Sequence, residues 1–149
     1  MPSSVTPPGS LDTLDGSAST HTTRLVSVRI WWLASSLMAS EVKGHLDVTA
    51  ARFLAHALRD RMAKDPRRLV GFHDWTGVTN YDGNARIVLT QAARESSARS
   101  DGTHVLALSA LVHFGLRTAD FLLGNIHSYV ARAPFEAAMQ ENLRRLGHR

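Results

Sequence analysis

Any chemistry in this chain must come from imidazole, carboxylate and hydroxyl groups, because its 149 residues include eight histidines and thirteen acids but no cysteine. Disulfides, thiolate metal sites and thiol catalysis are therefore excluded. The densest polar stretch runs from His73–Asp74–Trp75 through Thr79, Asn80, Tyr81 and Asp82 to Asn84 and Arg86. Adjacent residues in an extended strand face opposite ways, so His73 and Asp74 cannot act on each other as a catalytic dyad. A metal centre would need Asp74 and Asp82 to converge with His104 or His113, and none of these spacings is a ligand pattern. The chain lacks the Gly-x-Ser-x-Gly nucleophile elbow, and Ser109, the nearest candidate, has no flanking glycines. Gly71, Gly77 and Gly83 stand six apart across strand and loop, which is not a phosphate cradle. These residues point to a non-enzyme without metal or cofactor, whose polar stretch binds rather than reacts.

The elements around that stretch follow from apolar spacing. Leu69 to Phe72 is a short apolar run, which predicts a buried strand followed by a polar loop. Asp82 precedes Ala85, Val88, Leu89 and Ala92 at helical spacing, and its carboxylate is expected to accept from the first free N–H groups of a helix. Upstream, Arg24 to Leu33 and Leu37 to His45 read as a hairpin closed at Ala34–Ser35–Ser36. A helix is expected from Asp47 to Asp65–Pro66, with Ala51, Leu54, Ala55, Leu58 and Met62 inward and Arg52, His56 and Arg59 outward. Downstream, Ser100–Asp101–Gly102 should stop the Asp82 helix. A strand follows over His104 to Ser109, a helix over Leu116 to Leu123 closing at Gly124, and a strand over His127 to Ala131. Pro134 then opens a last helix with Phe135, Ala138, Met139, Leu143 and Leu146 inward. The expected order is ββαβαβαβα, an α/β domain with a mixed sheet of about five strands and helices packed against it.

Composition limits the partners. Residues 1–23 hold Asp12 and Asp15 but no Lys or Arg, and they are mostly Ser, Thr, Pro and Gly, the composition of a disordered tail ahead of a single domain over residues 24–149. The tail has neither the positive start nor the apolar centre of a secretory signal. Leu25 to Ala39 carries Arg29 and is too short to span a bilayer, so a cytoplasmic protein away from membranes is expected. Residues 24–149 keep 17 basic against 11 acidic side chains. The basic residues are dispersed, and their only adjacent pairs, Arg67–Arg68 and Arg144–Arg145, fall where helices should end. No recognition motif accompanies the charge, which argues against nucleic acid. Trp31 and Trp32 should face opposite sides of their strand, one in the core and the other under a helix; left uncovered on an edge strand, it would favour a homodimer.

With this order in place, the chain resembles the STAS family, the sulfate-transporter and anti-sigma-factor-antagonist domain, and within it the SpoIIAA-like bacterial branch. The resemblance covers about Arg24 to Leu146. It is carried by Val42–Lys43–Gly44–His45–Leu46–Asp47, by Phe72 to Val78 with Tyr81–Asp82, and by Val105 to Ser109 with Phe114–Gly115. It implies a regulatory module that binds an anti-sigma factor or kinase-like protein through Asp74, Thr79, Tyr81, Asp82, Asn84 and Arg86. The family's loop usually reads Asp-Ser-Ser-Gly and is phosphorylated on serine, whereas this chain has Asp82–Gly83–Asn84–Ala85, with no phosphate acceptor. The alternative is a small apolar ligand or lipid held between sheet and helices by Trp75, Phe114, Phe121 and Leu122.

Overall fold

The computed structural model describes residues 18–123 and 125–147, with the side chains of Phe114 and residues 118–123 outside that description. Its elements, in chain order, are β1 (Ser19–Thr22), β2 (Val26–Ala34), β3 (Leu37–Leu46), α1 (Val48–Lys64), β4 (Leu69–Tyr81), α2 (Gly83–Ser96), β5 (Ser100–Leu106), α3 (Ala110–Leu123), β6 (Ile126–Tyr129) and α4 (Arg132–Gly147). One six-stranded sheet is ordered β1-β2-β3-β4-β5-β6. The pairs β1–β2 and β2–β3 are antiparallel, and β3 through β6 run parallel.

The sheet has a core on each face. Val28, Ile30, Val42, Val78 and Val105 meet Ala50, Ala51 and Leu54 of α1, Ala85 of α2, and Val112 and Leu116 of α3. On the other face, Trp31, Leu37, Ala39, Phe72 and Leu106 pack against Phe135 and Met139 of α4. This places helices on both faces, as continuous apolar strands such as Leu69–Phe72 require. Trp31 and Trp32 face opposite ways as expected. Trp31 is in the α4-side core, while Trp32 packs on the α1 side with the Arg61 guanidinium 4.0 Å above its ring.

Several local signals act as expected. The Asp47 carboxylate accepts from the Ala50 N–H at 2.9 Å and from the Thr49 hydroxyl at 2.8 Å, capping α1. Those bonds hold the carboxyl below its ordinary range. Pro134 lies in the first turn of α4, where its missing N–H costs nothing.

Other expectations are corrected. Ser19–Thr22, read as part of the tail, forms an edge strand on β2, so the sheet has six strands and β2 is not an edge. The polar loop expected after Phe72 is strand: β4 continues for 13 residues to Tyr81. Ser100–Asp101–Gly102 does not stop α2 but begins β5, after a 3₁₀ turn over Ser97–Arg99. β5 ends at Leu106 rather than Ser109, and α3 starts at Ala110 rather than Leu116. The Ser109 hydroxyl accepts from the Val112 N–H, the local bond that starts α3 early. The expected tail over residues 1–17, the helix stop at Gly124 and the side chains of Phe114, Phe121 and Leu122 lie outside the described residues.

Candidate functional site

The long β4 strand depends on two irregularities. Glu41 to Lys43 of β3 spans two steps opposite the three from Asp74 to Gly77, and Gly44–His45 spans one step opposite the two from Val78 to Asn80. Each is an extra residue on β4, a bulge that leaves ladder groups unpaired and bends the strand. At the first, the Asp74 carboxylate takes the Thr76 N–H at 3.1 Å and its hydroxyl at 2.8 Å. The bulges also change the facing, so that Trp75, Val78 and Tyr81, three apart, all pack into the core under α1–α3.

Asp74 is thereby removed from any surface. It is 6% exposed and bonds Arg132 at the start of α4 at 2.9 Å, on the sheet face opposite His73. The rest of the expected set comes together at the end of the sheet where β3, β4 and β5 finish. Thr79, Asp82, Asn84 and Arg86 are exposed. Tyr81 is half-buried, and its hydroxyl donates to the Leu111 carbonyl at 3.3 Å. Gly115 of α3 leaves room for this: a Cβ there would lie 2.9 Å from the Tyr81 hydroxyl and 3.9 Å from Arg86 Cδ.

Asp82 occupies the position before α2, but its carboxylate does not cap the helix. It bonds His45 Nε2 at 2.7 Å instead, tying the end of β3 to the start of α2. Asn84 and Arg86 therefore leave the sheet on a helix fixed from below. Sequence reasoning missed the apolar part of this surface. Ile87, Leu108 and Leu111 are 62%, 67% and 47% exposed. Ile87 had a readable signal, since it falls off the Ala85, Val88, Leu89 and Ala92 stripe.

His104 and His113 hold the fold together. His104 stacks on Phe72 with centroids 4.3 Å apart and on His127 at 4.6 Å, and its Nδ1 meets the Tyr129 hydroxyl at 2.8 Å. Burial and the neighbouring imidazole push it down to about 4. His113 bonds the Ala107 carbonyl at 2.6 Å. Asp74, Asp82, His104 and His113 thus have four separate partners and do not converge.

No family model matches the sequence, and none of the curated proteins matches it. Solved structures do match the fold. An uncharacterized DUF3478-family protein from Shewanella loihica with a SpoIIAA-like fold superposes with a TM-score of 0.56 at 14% identity, over 74% of this chain and 92% of that one. An anti-sigma factor antagonist from Mycobacterium paratuberculosis superposes with a TM-score of 0.55 at 16% identity, over 77% and 94%. This chain therefore has the SpoIIAA-like, STAS-like α/β fold. Among the described residues no helix is long and apolar enough to cross a membrane.

Proposed function

We propose that this chain is a non-catalytic regulatory module that docks a protein partner through the surface around Tyr81, Asp82, Asn84 and Arg86, with Thr79 at its edge. One observation carries the reading: exposed charged and amide groups stand beside exposed Ile87, Leu108 and Leu111, at one end of the parallel strands. Apolar side chains beside a few fixed polar groups are what a protein interface requires, because the first supply burial energy and the second specificity. The SpoIIAA-like fold, shared with a protein named as an anti-sigma factor antagonist, supports a partner of the anti-sigma or kinase-like regulator class. Asp82–Gly83–Asn84–Ala85 offers no hydroxyl, so docking here is not switched by phosphate at that position.

The test is affinity capture from the native lysate with the full chain, with crosslinking at this surface. The double variant Asp82→Lys, Arg86→Glu is expected to lose the captured regulator by at least about tenfold, a change of about 1.4 kcal/mol. Because Asp82 also holds His45, Ile87→Glu provides a second readout that leaves that bond intact. Capture of the same proteins by wild type and both variants refutes the proposal.

A further inference from the structure

Between the sheet and α2 lies a cavity of about 170 Å³. Its lining runs along α2 from Arg86 through Leu89 and Ala93 to Ser96, about 15 Å at the helical rise. The walls are apolar: Leu54 and Leu58 of α1, Leu69 and Val105 of the sheet, and Val112 and Leu116 of α3. Engineered apolar cavities of about 150 Å³ stay dry and take up benzene, so this volume suits a molecule of one ring or a short chain.

Two ring N–H groups interrupt that lining: Trp75 Nε1, buried and without a partner among the described residues, and His73, whose ring centroid lies 5.8 Å from that of Trp75. His73 borders the cavity at mid-sheet, paired in register with Ser40 on one side and Val105 on the other. Its Nδ1 lies 2.6 Å from the hydroxyl of fully buried Ser40. A buried hydroxyl must place its proton, and Nδ1 is the acceptor within reach, which puts the imidazole proton on Nε2. Among the described residues Nε2 has no hydrogen-bond partner. Gly71 makes room for the ring, since a Cβ at that position would come within 2.7 Å of His73 Nε2. Of the other hydroxyls on the lining, Tyr81 donates to the Leu111 carbonyl, Ser96 donates to the Ala93 carbonyl and Ser100 accepts from the Gly102 N–H, while Thr90 and Thr103 also border the cavity.

We propose that this cavity binds a small neutral amphipathic molecule, whose apolar body lies along α2 and whose single hydroxyl or carbonyl oxygen accepts from His73 Nε2. The body satisfies the walls, and the oxygen satisfies His73 Nε2. An unpaired polar atom facing an apolar ligand would lose its hydrogen bond without compensation, so a pure hydrocarbon is the poorer occupant. A charged head is also disfavoured at that depth. Burial alone pushes the imidazolium of His73 down to about 4, and the same surroundings penalise a carboxylate. Among the described residues no acidic side chain lines the cavity, and its one cation, Arg86, is exposed. The cavity shares Tyr81 and Arg86 with the docking surface, but its test reads binding at His73 and does not depend on a protein partner.

The experiment titrates the full chain with p-cresol, toluene and benzoate, following heat of binding and the imidazole nitrogen chemical shifts. The expected result is p-cresol bound about three- to tenfold more tightly than toluene, the worth of one neutral hydrogen bond. Benzoate should bind more weakly than either, and the His73 nitrogen signal should move with p-cresol but not with toluene. His73→Phe should abolish the preference for p-cresol while still binding toluene. If that variant does not fold, the His73 nitrogen signal of the wild type decides: movement with p-cresol alone supports the assignment. Equal binding of p-cresol and toluene, stronger binding of benzoate, or no binding of any of the three overturns it.

Discussion

Acid should destabilise this protein through its buried histidines before its carboxylates are protonated. His73 is held to about 4 by burial, against an ordinary 6.5. In the unfolded chain the same imidazole takes a proton as pH falls through 6.5, so the unfolded state is favoured from there down. The stabilising effect of keeping His73 neutral is complete above about pH 6.5, declines through the window, and is gone below about 4. At about 1.4 kcal/mol per pH unit, His73 alone accounts for about 3 kcal/mol across that window. Against a typical domain stability of about 5–15 kcal/mol, this is a large share. His104, also pushed down to about 4 by burial and by the neighbouring His127, adds a second loss in the same window. Asp47 acts at lower pH. Its lowered value stabilises above the ordinary carboxyl range and is lost only as pH falls below it. The assay is urea unfolding of wild type and His73→Phe at intervals from pH 7 to 4.5. The variant will be less stable at pH 7, because the buried Ser40 hydroxyl loses its acceptor, at a cost of about 1–3 kcal/mol. Its stability should nonetheless fall less steeply with acid. Parallel curves for the two proteins between pH 6.5 and 4.5 would refute the assignment of His73 as a neutral buried group.

Two further substitutions test the supports of the site. Gly44 has φ +100° and faces the Leu25 carbonyl oxygen, which an added Cβ would approach to 2.2 Å. Gly44→Ala should therefore cost about 2 kcal/mol or more in thermal or urea unfolding, and a wild-type midpoint would show that this part of β3 relaxes freely. Arg132→Ala removes the cation from Asp74, which is buried and among the described residues then keeps Thr76 alone. The expected loss is about 1–2 kcal/mol, modest because Arg132 is itself half exposed. An unchanged urea midpoint would mean that solvent replaces Arg132 without penalty.

Much of the scaffold was legible because its signals are local. Asp47 caps α1, the Leu37–His45 strand follows its hairpin partner, and Phe135 and Met139 mark the inner face of α4 through residues within one or two turns of each other. The edge strand Ser19–Thr22 was not legible. Its sequence, Ser-Thr-His-Thr, has no apolar alternation, and it pairs with β2 through backbone groups that any sequence offers. Asp82 was read correctly as the residue before α2 but assigned the wrong acceptor role. Its partner, His45, lies 37 residues away, and no local rule sets a helix cap against a contact made across strands.

β4 was the costliest misreading, and its cause bears on function. A strand is recognised by period two, but two bulges change the spacing of inward residues to three at Trp75, Val78 and Tyr81. The polar residues between them looked like a loop because each bulge exposes positions that a regular strand would bury. The added length has a consequence that a loop could not have. β4 remains paired with β3 as far as Tyr81, so the residues lining the cavity at His73 and those at the docking end lie on one continuous strand. Tyr81 and Arg86 border both the cavity and the outer surface, and each is fixed there by an ordered element: Tyr81 by its bond to Leu111, and Arg86 by the first turn of α2. A loop would have left the two regions mechanically independent. In β4 the two regions instead share one strand hydrogen-bonded to β3.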